Sequence, residues 1–166
     1  MIGQAERLTQ LNRIKQIAIK KRLRSKIIAI TSGKGGTGKT FISLNIAYAM
    51  ARNNKKILLV DLDANLSNLN IMLNIAPERN LYHFFIGESN LSDLVYRYDN
   101  NIHLLCGDSG RTDHPQILES KVNKLFDSLW EISSEYDYIL LDTAAGAGED
   151  VLSILRHADA RVVVTT

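Results

Sequence analysis

Ser32-Gly33-Lys34-Gly35-Gly36-Thr37-Gly38-Lys39-Thr40 is the stretch on which everything else in this chain turns. From Gly33 to Thr40 it matches G-x-x-x-x-G-K-[ST], the spacing of a loop that cradles the phosphates of a nucleoside triphosphate. Glycines let the backbone take positive φ and approach an anion closely, so successive N–H groups can line a concavity that holds it. The helix expected next adds the positive end of its dipole at the same spot. Lys39 is placed to reach the terminal phosphates and the Thr40 hydroxyl to hold Mg²⁺. A second lysine, Lys34, stands beside the first glycine.

The flanks suit the loop. Residues 26–31, Lys-Ile-Ile-Ala-Ile-Thr, form a near-continuous apolar run, as expected for a strand buried on both faces of a parallel sheet. Downstream, Phe41, Leu44, Ile46, Ala47 and Ala51 follow a helical pattern over 39–52, and Asn53-Asn54 reads as its stop. The alternation continues, with strands expected at 56–62, 102–106, 138–141 and 161–165. Helical patterns fall at 66–73, 80–86, 91–96, 116–132 and 148–157. Such alternation predicts an α/β fold with a doubly wound, mostly parallel sheet. Its ligand belongs outside the carboxyl ends of the strands.

Those ends carry acids. Asp61 and Asp63 follow the second strand at alternate positions, and Asp142 closes the fourth in Leu140-Leu141-Asp142-Thr143-Ala144-Ala145-Gly146. An aspartate there can reach Mg²⁺ through coordinated water, and the Gly146 amide is placed to sense a γ-phosphate. Ordinary turn chemistry also favours Asp at strand ends, most of all for Asp61 taken alone.

A length of 166 residues suits one globular domain, and 45% hydrophobic with 23% charged residues is ordinary for a soluble protein. No apolar stretch is long enough to span a membrane, and the N-terminus lacks the pattern of a signal peptide. The single cysteine, Cys106, excludes an internal disulfide framework, fits a reducing cytoplasm and reads as a small buried side chain. His83, His103, His114 and His157 show no metal-ligand spacing. Trp130, with Leu125, Phe126 and Leu129, reads as the core face of a helix; Tyr82, Phe84 and Phe85 are either core or a dimer surface.

The net charge of +2 is unevenly spread. Residues 1–26 hold eight Lys/Arg and one Glu, +7, which leaves twelve basic and seventeen acidic residues, −5, in the rest. Residues 1–25 thus read as a basic arm and linker ahead of a domain at 26–166. Within the arm Ala5, Leu8, Leu11, Ile14 and Ile17/Ala18 recur at helical spacing. Such a stripe can lie in a partner's groove, on an anionic membrane or against its own domain.

With Lys34-Gly35-Gly36-Thr37-Gly38-Lys39-Thr40 the chain resembles the MinD/ParA family of ATPases, whose hallmark is K-G-G-x-G-K-[ST]. The resemblance implies ATP and Mg²⁺ as ligands and a homodimer formed on ATP. It also implies a lysine at Lys34 that reaches the partner's phosphates, a carboxylate at Asp63 that positions the attacking water, and metal-associated acids at Asp61 and Asp142. Residues 3–8, Gly-Gln-Ala-Glu-Arg-Leu, resemble the N-terminal element of the branch of MinD-like flagellar-number regulators (FlhG type). There it docks on a signal-recognition-type GTPase, FlhF, which implies Gln4, Ala5, Leu8 and Leu11 as partner-binding residues. Asn65-Leu66-Ser67-Asn68-Leu69-Asn70 and Asp142–Gly148 echo the same branch.

Implied is an ATP-hydrolysing cytoplasmic switch that acts on FlhF and flagellar basal-body proteins, with the membrane reached through a C-terminal helix. Two alternatives stay open: a non-hydrolysing module that docks through its arm, and a ParA-like partitioning ATPase that contacts DNA. Asn65, Asn70, Phe41 and Gly3 depart from the usual residues of the family or branch, and none of these removes a phosphate or metal group. The chain stops at Thr166, where the resembling proteins continue, so the expectation is a truncated domain with an unpaired sheet edge. Such a domain should be prone to associate and should melt below about 60 °C.

Overall fold

The computed structural model of the chain describes residues 25–63, 68–108 and 119–165. Six strands form one sheet: β1 (Lys26–Ser32), β2 (Ile57–Leu62), β3 (Tyr96–Arg97), β4 (Ile102–Leu105), β5 (Tyr138–Thr143) and β6 (Ala160–Val164). Their order is β3-β4-β2-β5-β1-β6, parallel throughout except for the β3–β4 pair. Among the described residues five α-helices accompany it: α1 (Lys39–Ala51), α2 (Leu69–Met72), α3 (Leu81–Phe85), α4 (Glu119–Ile132) and α5 (Glu149–His157).

Side chains alternate across a strand, and that alternation builds two cores. Ile27, Ala29, Leu58, Val60, Ile139 and Leu141 meet Val122, Leu125, Phe126 and Leu129 of α4 and Ile154 of α5. On the other face Ile30, Ile57, Leu59, Leu104 and Leu140 meet Leu44, Ala47 and Ala51 of α1 and Leu69 of α2. Strand β2 is buried at all six positions, as its central place requires. β6 pairs with β1 alone among the described strands, and its Val163 keeps 63% of its surface exposed.

The same parity orients the acids. Asp61 shares its face with Ile57 and Leu59, Asp142 with Leu140, so both carboxylates sit on the α1 side. Register then places them together: Asp142 lies opposite Asp61 on β2 and opposite Ile30 on β1.

Three local expectations are corrected. The helical pattern at 91–96 is a 3₁₀ turn, Leu91–Leu94, and Tyr96 belongs to β3, where it pairs with Leu104 of the neighbouring strand. The pattern at 66–73 contains helix only over Leu69–Met72, with residues 64–67 outside the described set, as are 116–118 before α4. Trp130 is 41% exposed and not part of the buried face that Leu125, Phe126 and Leu129 form. Phe84 is core, while Tyr82 and Phe85 are half-buried. Cys106 is buried, and burial, with the Asp61 charge adding, pushes its thiol up to about 12.

Candidate functional site

The loop between β1 and α1 gives the site its shape. Gly36 and Gly38 hold φ of 74° and 83°, the left-handed region that L side chains resist. Gly38 is also the residue that starts α1, and it supplies no side-chain cap. No acid occupies the first turn of α1. The first amides of that helix therefore lack the capping groups that helices ordinarily recruit, and they open into a cleft of about 510 Å³.

Gly35, Gly36, Thr37, Gly38, Lys39 and Thr40 line this cleft on one side, Asp63, Asn68 and Met72 on another, and Ala144 and Ala145 on a third. β1, β2 and β5 thus each contribute the segment that follows their carboxyl end. Lys39 is 7% exposed, so its ammonium is largely withdrawn from bulk water. Such a charge demands an anionic partner.

Asp142 lies behind the loop, 2% exposed. Its Oδ1 accepts from Ser43 Oγ of α1 at 3.0 Å, whereas Oδ2 lies buried without a well-aligned hydrogen bond, the Thr40 hydroxyl being near the same carboxyl. Burial pushes this carboxyl above the ordinary carboxylate range, and the Asp63 charge adds to that. The Thr40 and Ser43 hydroxyls and the Lys39 ammonium hold it back. Thr37 Oγ1 is likewise buried without a partner. Buried oxygens left in this way are rare, and here one belongs to the glycine loop and the other to the strand end behind it.

Asp61 does something else in this structure. Its Oδ1 accepts the Asp63 amide and its Oδ2 the Leu69 amide, each at 3.2 Å, which shapes the chain after β2 and aims Asp63 into the cleft. Gly146 is a correction. Its amide donates to the Ser32 carbonyl at 2.9 Å, closing the β5–α5 turn over the end of β1, so it is not presented to a phosphate; Ala144 and Ala145 line the cleft in its stead. Lys34 is exposed and lines a second hollow of about 260 Å³ with Gly33, Thr37, Val164 and Thr165. It does not line the main cleft, which suits a group that acts on something outside its own site.

A family model described as an AAA domain matches residues 25–166. The chain belongs to that family, in its MinD/ParA type. Among relatives of this type it is 34% identical to the flagellum site-determining protein YlxH of Helicobacter pylori, over all of this chain and 57% of that protein. It is 32% identical to the antiactivator FleN of Pseudomonas aeruginosa, over 84% of this chain and 50% of that one. The septum site-determining protein MinD of Pyrococcus horikoshii, solved in complex with Mg-ADP, superposes with a TM-score of 0.74 at 30% identity. That match covers 85% of this chain and 58% of the other. The chain thus spans little more than half the length of these MinD/ParA-type relatives.

Sequence inspection missed Ser43. Its signal was a small hydroxyl in the helical pattern, one turn after Lys39. Asn68 and Met72 were missed as cleft residues because only the packing of α2 brings them to the loop. Gln4, Ala5, Leu8 and Leu11 lie outside the described residues.

Proposed function

We propose that this chain binds Mg-ATP in the loop of residues 33–40 and, paired with a second copy, hydrolyses it as a switch that sets flagellar number and placement. One observation carries the proposal: the uncapped start of α1 and the buried Lys39 line one cleft, and the Asp142 carboxylate lies buried behind the loop that forms it. Positive charge and uncapped amides converge there, with Asp63 on the cleft wall and Asp142 behind the loop as the nearby protein anions. A polyphosphate satisfies the ammonium and the amides at once, and a cation brought with it would face the Asp142 carboxylate.

The residues divide the work. Glycine-loop amides and Lys39 bind and orient the phosphates. The Thr40 hydroxyl would hold Mg²⁺ directly and Asp142 through coordinated water. No cluster of three or more His, Cys, Asp or Glu forms among the described residues, which suits a Mg²⁺ held mainly by phosphate and water oxygens. Mg²⁺ supplies neutralisation of the charge that grows on the phosphate oxygens. Asp63, half-buried on the cleft wall, orients water for attack. Lys34, exposed beside the cleft, reaches the phosphates of the second copy.

The name of the Helicobacter relative, a flagellum site-determining protein, supports the flagellar setting. The likeness of residues 3–8 to a docking element supports an FlhF-type GTPase, with basal-body proteins, as partners in the cytoplasm. Calorimetry with Mg-ATP tests the binding. The chain should take up one nucleotide, and Lys39→Ala should weaken uptake about a hundredfold or more, as loss of a buried charge partner does. Equal uptake by the two, or none by either, overturns the proposal.

A further inference from the structure

The arm enters the domain at the end of the sheet opposite the cleft. Ser25, its last residue before β1, is buried, and its hydroxyl donates to the carbonyl of Ser133, directly after α4. Ser133 Oγ in turn donates to the Trp130 carbonyl at 2.8 Å. The root of the arm therefore lies within one helical turn of Trp130. That indole keeps 41% of its surface exposed, edge-on to Phe126 with ring centroids 6.5 Å apart. Phe126 stacks on His157 of α5 at 4.7 Å. Trp130 thus marks an apolar spot on the outer seam of α4 and α5.

Along the chain from the last turns of α4 into the segment after it, charge has one sign. From Asp127 to Glu135 the chain carries Asp127, Glu131 and Glu135, all exposed, and no basic residue. The linker that ends at Ser25 carries Lys20, Lys21, Arg22 and Arg24. The sequence before Ser25 and the segment that Ser25 bonds to thus carry opposite charge, a complementarity that sets orientation and register when such segments pair. Lengths agree as well. The apolar stripe of residues 5–18 would span about 21 Å as a helix, the length of the fourteen-residue α4. The seven residues from 19 to 25 reach up to about 25 Å, enough to fold the stripe back along α4.

We propose that the arm docks on its own domain: the stripe of residues 5–18 lies along the outer α4–α5 seam over Trp130, and the basic linker runs past Asp127, Glu131 and Glu135. The seam then holds Leu8 and Leu11, and any partner that takes the stripe must first displace it. Docking in a groove through apolar residues at helical spacing is a common recognition mode. Here the groove belongs to the same chain.

Trp130 is the one tryptophan of the sequence, so the intrinsic fluorescence of the full chain reads this contact directly. Leu8→Asp combined with Leu11→Asp should red-shift the emission and raise acrylamide quenching about twofold, as an amphipathic ring loses its apolar cover. A peptide of residues 1–24 added to that variant should restore the shielding. Raising salt to about 1 M, where the Debye length is about 3 Å, should weaken docking in the wild type. Asp127→Lys with Glu131→Lys should mimic the salt effect, and Lys21→Glu with Arg22→Glu in that background should reverse it. Identical quenching in wild type and the arm variant overturns the proposal. Shielding that grows with protein concentration assigns the seam to a second copy, and shielding that requires anionic vesicles assigns the arm to a membrane; either result also overturns it. No nucleotide enters the measurement, so its failure leaves the cleft proposal standing.

Discussion

Helices α1 and α5 begin at the ends of neighbouring strands, yet they treat their positive ends in opposite ways. α5 carries Glu149 and Asp150 in its first turn and Arg156 and His157 in its last, so it complements its own dipole. Asp150 folds back so closely that a β-carbon on Gly148 would lie 2.5 Å from its Oδ1. α1 has no acid in its first turn and no base in its last turn, and neither helix has a side-chain cap. A helix that supplies its own anion is finished on folding. One that withholds it is left to be completed by a ligand, and of the two only α1 opens into the cleft of about 510 Å³.

That contrast can be broken in stages. The largest effect belongs to chemistry beyond the cradle. Asp63→Ala should leave Mg-ATP affinity near wild type while turnover falls about a hundredfold or more, measured as phosphate release. Lys34→Ala should behave likewise, and in mixtures with wild type the loss should scale with variant–wild-type pairs. Unchanged turnover in Asp63→Ala would remove that residue from the mechanism.

Next comes Gly38→Ala, which forces a β-carbon onto φ of 83° at the start of α1. It should cost about 1–2 kcal/mol in chemical denaturation and weaken nucleotide binding together. Binding that survives such a loss of stability would show that the backbone bend is not needed for the cradle.

Asp142→Asn separates the empty cleft from the filled one. Because burial raises the native pKa of Asp142 above its unfolded value, the native state binds the extra proton between the two. Its contribution to stability is then present at low pH and lost as pH rises from the ordinary carboxylate range through the raised value. The asparagine variant should flatten that part of the stability profile in the absence of nucleotide. It should also lose the Mg²⁺ dependence of nucleotide binding. A pH profile identical to wild type would sink the assignment.

The smallest effect sharpens the other side of the contrast. Glu149→Gln with Asp150→Asn strips α5 of its internal anions and should cost about 0.3–1 kcal/mol for each charge. Nucleotide affinity should not move, and a fall in it would tie α5 to the site.

Much of this was legible before any coordinates. The run from Lys26 to Thr31, the glycine pattern and the helical spacing after Thr40 are local signals, and each strand and helix that positions the loop sits within a residue or two of its expected place. Non-local decisions were not legible. Tyr96 is a strand residue because β4 offers an edge to pair with, although nothing near it in sequence says so. Trp130 looks like its buried neighbours by composition. The stripe of Val122, Leu125, Phe126 and Leu129 already fills the inward face of α4, and Trp130 stands about 100° further round. The Gly146 amide looked available until the β5–α5 turn closed onto Ser32.

Sequence alone determined the loop, its two lysines, the parallel α/β alternation and the family. All of these depend on residue type at short, fixed spacing. Tertiary structure decided which carboxylate lies buried behind the loop and which is spent on backbone amides. It also turned Lys34 out of the cleft that takes in Lys39, and rooted a basic arm beside Trp130. Those outcomes depend on register between strands and on which face of a helix meets the sheet, and packing of distant segments sets both.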